Sequence, residues 1–451
     1  MFEPLYTAAE MREAEAGYPG YPATAPELMD RAGSAVAREA MRAFPRARRF
    51  AVVCGGGANG GDGAVAARVL REAGREAVET EDPEGYDAIV DALFGTGFRG
   101  APRPEAAALI NRINDAGAPI VSVDLPSGVN ASTGEVEGAA VRASLTVTFH
   151  GRKVGLVVAP GRFHAGRVIV ADIGLEHLAT DARRTTDALL RHVPRRGPRD
   201  SKYTAGVVLV VGGSPGMTGA AVLTATAALR ADAGYVTLAV PAESLPVVET
   251  LALEPVKRGF AWASAVDEIL AEAGRADAVA IGPGLGRSDG ARALVRELLS
   301  RIELPVVVDA DALYGLEPVE RSAAMVLTPH AGELARLLGT AAADVDEHRL
   351  ESARRCAERF GAVVLLKGAD TIVQGPVGGP IVSDVAPPSL ATAGSGDVLT
   401  GVIAAFLAKG VEPVTAAAAA ATAHGIAAAS VLHQAGLVAS DVVAALPAAL
   451  S

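Results

Sequence analysis

Cysteine is almost missing from this chain: Cys54 and Cys356 are the only two in 451 residues. Two thiols cannot build a disulfide framework or a cysteine-rich zinc site, and their scarcity fits a reducing cytoplasm. Basic charge is also short. Lys and Arg number 41 against 52 Asp and Glu, a net charge of −11, and outside residues 194–199 there is no basic run, so no nucleic-acid partner is expected. The longest apolar tract, residues 414–423, is mostly alanine and too short for a bilayer, so it reads as a buried helix and no membrane partner is expected. Met1-Phe2-Glu3-Pro4 has no basic segment leading into an apolar one, so no export signal is expected there. A Gly-x4-Gly-Lys-Ser/Thr loop is absent, which excludes a P-loop nucleotide site. No internal repeat is visible, because the glycine loops of the two halves differ in spacing and in where their acids fall.

What is present is apolar. Half of the residues are hydrophobic and 21% are charged, which excludes disorder as the main state. The length suggests about two to three domains. Residues 7–43 read as helix, with Leu28, Met29, Ala32, Val36 and Met41 as a broken apolar stripe. Strand 50–54, a glycine loop at 55–63 and helix 64–73 then form a β-loop-α unit. Strand 88–94, helix 105–116 and strands 120–125, 145–149 and 168–173 continue it as a doubly wound sheet. Residues 194–200, polar and with two prolines, mark a linker between domains 1–193 and 201–451. A second α/β series begins with strand 207–211. The fold class is therefore α/β in two domains.

Three strand ends of the first domain carry chemistry. Gly55, Gly57 and Gly60 formally satisfy a dinucleotide fingerprint with Glu76 downstream, yet Asp62 would set a negative charge where pyrophosphate should sit. The stretch 89–94, which carries Asp91, runs into Gly95-Thr96-Gly97-Phe98-Arg99-Gly100, and the stretch 121–124, which closes on Asp124, runs into Leu125-Pro126-Ser127-Gly128. In a parallel sheet all three ends lie on one edge, where α/β folds place ligands. Asn59, Asp91, Asp124 and Ser127 converge there as oxygen donors. A hard cation and a capped loop without an ion both satisfy that set.

In the second domain the organising stretch is Gly394-Ser395-Gly396-Asp397, a tight turn onto a helix in which Leu399, Val402, Ile403 and Phe406 fall at helical spacing. The free N–H groups of such a turn favour an anion. A carboxylate at Asp397 suits a group that takes a proton from a hydroxyl about to meet a phosphoryl group. A plain glycine turn with Asp in the first helical turn is the alternative.

Asn59-Gly60-Gly61-Asp62-Gly63, the Asp91 to Gly100 segment, Val123-Asp124-Leu125-Pro126-Ser127-Gly128 and Leu28-Met29-Asp30-Arg31-Ala32-Gly33 together resemble the NAD(P)H-hydrate epimerases across the first domain, which implies a Rossmann-like fold. The resemblance implies interconversion of R and S forms of hydrated NADH and NADPH (NADHX and NADPHX). It implies substrate contacts at Ala58, Asn59, Gly60, Gly61, Asp62, Gly95, Thr96, Gly97, Phe98, Arg99 and Gly100, with Asp124 catalytic at the reacting carbon. It also implies a potassium ion (K+) at Asn59, Asp91 and Ser127. Ala58 stands where the family usually has a second asparagine. Lys153 matches a family lysine, or is a solvated strand-end lysine.

Lys202-Tyr203-Thr204-Ala205-Gly206, Gly212-Gly213-Ser214, the Gly282 turn, Val308-Asp309-Ala310-Asp311, Thr328-Pro329-His330-Ala331-Gly332-Glu333, the Lys367 segment and the Gly394 turn resemble the ribokinase-like superfamily and, within it, the ADP/ATP-dependent NAD(P)H-hydrate dehydratases. That implies a ribokinase-like α/β sandwich. It places Ala220, Gly284, His330 and Asp397 on the hydrated nicotinamide, and Lys367, Gly368, Ala369, Asp370, Thr371 and Gly396 on an adenine nucleotide. ADP giving AMP and phosphate, with Mg2+, is the expected co-substrate, and Asp397 the base acting on the C6 hydroxyl. A homo-oligomer is expected. A kinase for a vitamin-like alcohol fused to a non-catalytic binding module is the alternative function.

Overall fold

Strands Glu76–Glu79, Arg49–Cys54, Ala88–Ala92, Ile120–Val123, Leu145–Phe149 and Arg167–Ala171 lie side by side in that order, all parallel. Side chains alternate across such a sheet. Phe50 and Val52 pack with Val36, Ala66 and Leu70 on one face, and Ala51 and Val53 pack with Leu109, Ile110 and Ile113 on the other. Both faces are covered by helices, as a parallel sheet requires. The computed structural model describes all 451 residues and divides them into two compact units, Pro4–Ala182 and Met1–Glu3 with Arg183–Ser451. No helix is long and apolar enough to cross a membrane.

The helix expected over residues 7–43 is two helices, Ala8–Ala16 and Ala25–Ala43. Between them come Gly17, Pro19, Gly20 and Pro22, with Gly20 at φ 79°, a sequence that cannot continue a helix. The first resumes the capping logic of its own sequence, since Thr7 and Glu10 form a reciprocal box at its start. Residues 55–63 are also not all loop. Helix Ala58–Glu72 begins at Ala58, which puts Asn59, Gly60, Gly61 and Asp62 in its first turns. Gly60 and Gly61 are small because backbone and Met29 leave no room: a Cβ would meet the Gly55 carbonyl at 1.8 Å or Met29 Sδ at 2.5 Å.

The second unit has its own sheet. Val256–Phe260, Tyr235–Pro241, Val207–Val211, Ala278–Ile281, Val306–Val308, Met325–Leu327 and Val363–Leu366 run parallel. Thr371–Gln374 turns back antiparallel, followed by Ile381–Ser383 and Arg183–Thr185. Arg183 joins this sheet, so the unit boundary falls at 182/183 and not within 194–200. The cause is packing: Leu189, Leu190 and Val193 are buried among Val208, Val402 and Ala417. The tract 414–423 lies within helix Pro413–Ser430 and is buried from Ala416 onward, as its composition demands.

Candidate active sites

At the carboxyl edge of the first sheet, a cavity of about 560 Å³ is lined by Ala58, Asn59, Asp62, the 95–99 loop and Asp124, with Glu15, Phe94 and Phe149 completing the wall. Gly60, Gly61 and Gly100, also expected on substrate, are not on that wall. Asp124 takes the left-handed conformation, φ 64°. It is held there by Thr148 Oγ1, which donates to Asp124 Oδ1 at 2.9 Å, and by Lys153 Nζ at 2.5 Å. Lys153 is therefore no solvated lysine. Its side chain is fully buried, and its other two donors go to Thr148 Oγ1 at 2.9 Å and the Phe149 carbonyl at 2.8 Å.

Asp91 lies beneath this floor, fully buried. It accepts from Ser122 Oγ at 2.8 Å and from the Ser127 hydroxyl and amide at 2.5 and 2.9 Å. Ser127 Oγ in turn accepts the Phe94 N–H at 2.9 Å, which pins the start of the 95–99 loop. Burial pushes the Asp91 carboxyl up, against the hydrogen bonds from Ser127, Ser122 and Leu93. Asn59 packs on Gly95, where a Cβ would meet its Oδ1 at 3.0 Å, and its buried Nδ2 has no partner. Glu15, Phe94 and Phe149 were not anticipated. Glu15 sits on a helix more than forty residues before the loop, with no local signal to find it by.

In the second unit, Gly394 is at φ 85° and caps helix Ser395–Ala408. A Cβ there would meet Leu223 at 2.8 Å, so the turn requires glycine on two grounds. Asp397 sits in the first helical turn, where free N–H groups and a carboxylate share one corner. Thr224 Oγ1 donates to the Asp397 carbonyl at 3.0 Å and ties this helix to Thr218–Arg230. Gly396 faces Lys367: a Cβ on it would lie 3.3 Å from Lys367 Nζ and 3.9 Å from Asp309 Oδ2.

Asp309 is the member of the site that the sequence motif contained without singling it out. It is buried, with Oδ1 accepting from Lys367 Nζ at 2.9 Å and Oδ2 from Thr400 Oγ1 at 2.7 Å. Its place at the end of a Val-rich strand was the available signal. Burial disfavours the Lys367 ammonium, but Asp309, then Glu333 and Asp397, outweigh it and raise its pKa. The Asp397 carboxyl is pushed up to about 7 by burial and by the charge of Asp309, with Asp311 and Glu333 adding to it and Lys367 opposing.

His330 is the N-cap of helix Ala331–Leu338. Its Nδ1 accepts the Gly332 N–H at 3.0 Å, while Glu333 reaches back to the His330 N–H at 2.9 Å. Gly284, at φ 62°, accepts the Ser214 N–H at 2.7 Å, interlocking two glycine turns. Ala220 lies near the start of helix Thr218–Arg230. In the 367–371 segment Gly368 and Ala369 are exposed, whereas Asp370 is buried and ion-paired to Arg349 at 3.1 Å. No group of three or more His, Cys, Asp or Glu side chains is placed to hold a metal ion.

Residues 208–447 match the family model described as NAD(P)H-hydrate dehydratase, and residues 25–84 and 75–155 match that described as YjeF-related protein N-terminus. The bifunctional NAD(P)H-hydrate repair enzyme of Moorella thermoacetica is 41% identical, with 98% of this chain and 96% of the relative covered. That of Escherichia coli K12 is 37% identical, over 89% and 84%. Among solved structures, the ADP/ATP-dependent NAD(P)H-hydrate dehydratase of Bacillus subtilis, co-crystallised with ATP and Mg2+, superposes with a TM-score of 0.54. It is 28% identical and covers 58% of this chain and 96% of its own. Single relatives that run the length of both units account for two acidic, glycine-walled sites on one polypeptide, and the chain belongs to the family of bifunctional NAD(P)H-hydrate repair enzymes.

Proposed function

We propose that the Pro4–Ala182 unit interconverts R- and S-NAD(P)HX and that the Arg183–Ser451 unit dehydrates the S form to NAD(P)H at the expense of ADP, leaving AMP and phosphate. The observation that carries the dehydratase assignment is Asp397 in the first turn of helix Ser395–Ala408, its carboxyl raised to about 7 beside the Lys367–Asp309 pair.

Hydroxide is a poor leaving group, and phosphorylation makes it a good one. Asp397 takes the proton of the C6 hydroxyl as that oxygen bonds to the terminal phosphorus of ADP, and the bond from that phosphorus to AMP breaks. Phosphate then departs from C6 with the C–O electron pair, a C5 proton is lost and the ring double bond re-forms. The N–H groups of Gly396 and Asp397, which have no partner within the helix, stabilise charge on the phosphoryl oxygens in flight. Ala220, Gly284 and His330 would shape the nicotinamide pocket, while the exposed Gly368 and Ala369 backbone and Gly396 would approach the nucleotide. Magnesium, when bound, neutralises phosphate charge. Asp309, Asp311 and Glu333 are each engaged by neighbours, so the ion fits this site as one carried largely by nucleotide phosphates.

For the first unit we assign a potassium ion to Asn59, Asp91 and Ser127. The buried, unpartnered amide of Asn59 supports this, since reversing it turns an oxygen toward the site, and the other donors are hard oxygens. Potassium would brace the 95–99 loop that Ser127 already holds.

The test is one assay. Mixed R- and S-hydrate is supplied with ADP, with ATP or with neither, and reduced-cofactor absorbance is followed. Full recovery from the mixture with ADP, and none without nucleotide, is expected. A phosphorylated product that accumulates without regained absorbance would replace the dehydratase with a kinase.

A further inference from the structure

The first cavity holds more acid than its established partners explain. Glu15, Asp62 and Asp124 all face a space of about 560 Å³. One ammonium is buried beside them, and it is spent: Lys153 gives one donor to Asp124 and the other two to Thr148 and Phe149. Asp62 projects from the first turns of helix Ala58–Glu72, while Asp124 closes strand Ile120–Val123, so two carboxyls reach the cavity from two different elements. One is ion-paired and one is not. Like charges confined to one partly buried site do not all ionise, and an acid and a base are then told apart by which one owns the cation.

Resting on the epimerase assignment of this unit, we propose that Asp62 is the catalytic acid of epimerisation, donating a proton to the departing C6 hydroxyl, with the ion-paired Asp124 as the base on the opposite face. In the R-to-S direction the C6–O bond breaks as the Asp62 proton moves to that oxygen, and water leaves. The ring nitrogen lone pair becomes the second bond of N1=C6. A water then adds to the other face of C6, its proton passes to Asp124, and the C=N pair returns to nitrogen. Proton exchange with cavity water resets the two carboxyls, and the reverse reaction exchanges their roles.

Electrostatics agree with the geometry. Burial, and then the charges of Asp124 and Glu15, push the Asp62 carboxyl up to about 8 against the pull of Lys153. Glu15 is also raised, by burial and Asp124, but Lys153 and Arg12 hold it back. Arg99 is on the same cavity wall and is exposed.

The experiment follows the full chain with R-hydrate in H2(18)O, coupling the S product to its own dehydratase unit in excess ADP or ATP and quenching uncoupled reactions for the isotope. Wild type is expected to put one solvent oxygen into each epimerised molecule, at a rate that falls as pH climbs through about 8. Asp62→Asn should lower kcat by about 100-fold or more with KM little changed, and Asp62→Glu should restore much of it, showing that the site still folds. Near-normal turnover by Asp62→Asn, or a loss confined to KM, overturns the proposal. So does loss in Glu15→Gln without loss in Asp62→Asn. Retention of the original oxygen overturns it too, since ring opening would then replace loss of water. A wild-type chain that never converts R-hydrate, while dehydrating S-hydrate normally, brings down the epimerase assignment itself and the proposal with it.

Discussion

Lys153 Nζ lies 2.5 Å from Asp124 Oδ1, and the pair is buried, with the lysine side chain wholly out of solvent. A buried pair is a weak gain over apolar packing, but removing one partner strands the other. Lys153→Met should therefore lower the unfolding free energy by about 3–5 kcal/mol, and adding Asp124→Leu should recover most of that. Urea unfolding of the full chain reads both. A single variant within about 1 kcal/mol of wild type would show that water reaches the pair.

Asp397→Asn keeps the shape of the corner and cannot take a proton. Dehydration of S-hydrate should fall by about 10²–10⁴-fold, while calorimetric affinity for adenine nucleotide changes by a factor of about three or less. Equal loss of both would make Asp397 a nucleotide contact and leave the base to be found elsewhere.

The pH profile of the same reaction tests the environment of that carboxyl. A base works deprotonated, and burial with Asp309 raises Asp397 from 3.8 to about 7, so kcat/KM should climb as pH rises through 7 and then level off. Asp309→Asn removes the largest charge opposing ionisation and should move the limb to lower pH. The stability sign is the reverse of the usual salt-bridged acid: the folded state holds this proton when the unfolded chain has released it, so this group costs stability as pH rises from about 4 to 7. A limb unmoved by Asp309→Asn would separate the two carboxyls.

Gly401 lies where helix Ser395–Ala408 crosses Thr218–Arg230. A Cβ there would sit 2.2 Å from the Thr224 carbonyl oxygen, a backbone atom that cannot swing away. Gly401→Ala should destabilise the second unit by about 1–3 kcal/mol despite alanine's better helix propensity. A neutral or raised melting temperature would mean that the helices slide apart freely.

The boundary at 182/183 makes a prediction for truncation. Leu189, Leu190 and Val193 are buried in the second core, and each fully buried aliphatic side chain is worth roughly 1.5–3 kcal/mol. A chain starting at Arg183 should melt well above one starting at Asp200, and should keep dehydratase activity on S-hydrate. Equal melting would show that the 183–193 segment adds nothing to that core.

Much of this molecule was legible before folding. The strands ending at Cys54, Ala92 and Val123 announce themselves through short Val- and Ile-containing runs followed within a few residues by glycine, and the Gly394 turn through its paired glycines ahead of a helical apolar spacing, because strand propensity and turn chemistry are properties of a few adjacent residues. The places misread share the opposite property. The start of helix Ala58–Glu72 is hidden by three glycines that its neighbours require, and the break after Ala16 lies inside a stretch whose apolar spacing suggested one helix. Segment 183–193 has no periodicity of its own, and only the second core claims it.

By itself the amino-acid order determined two α/β units and the loops at the carboxyl edges of their parallel strands, since the hydrophobic pattern and glycine placement act locally. Only the tertiary structure decided what surrounds each carboxyl. Lys153 being buried against Asp124, Asp309 being shared by Lys367 and Thr400, and Asp62 being left without a cation all depend on residues far apart in the chain. Burial and charge act through space, so proton ownership is settled by distance and dielectric, which no spacing along the chain encodes.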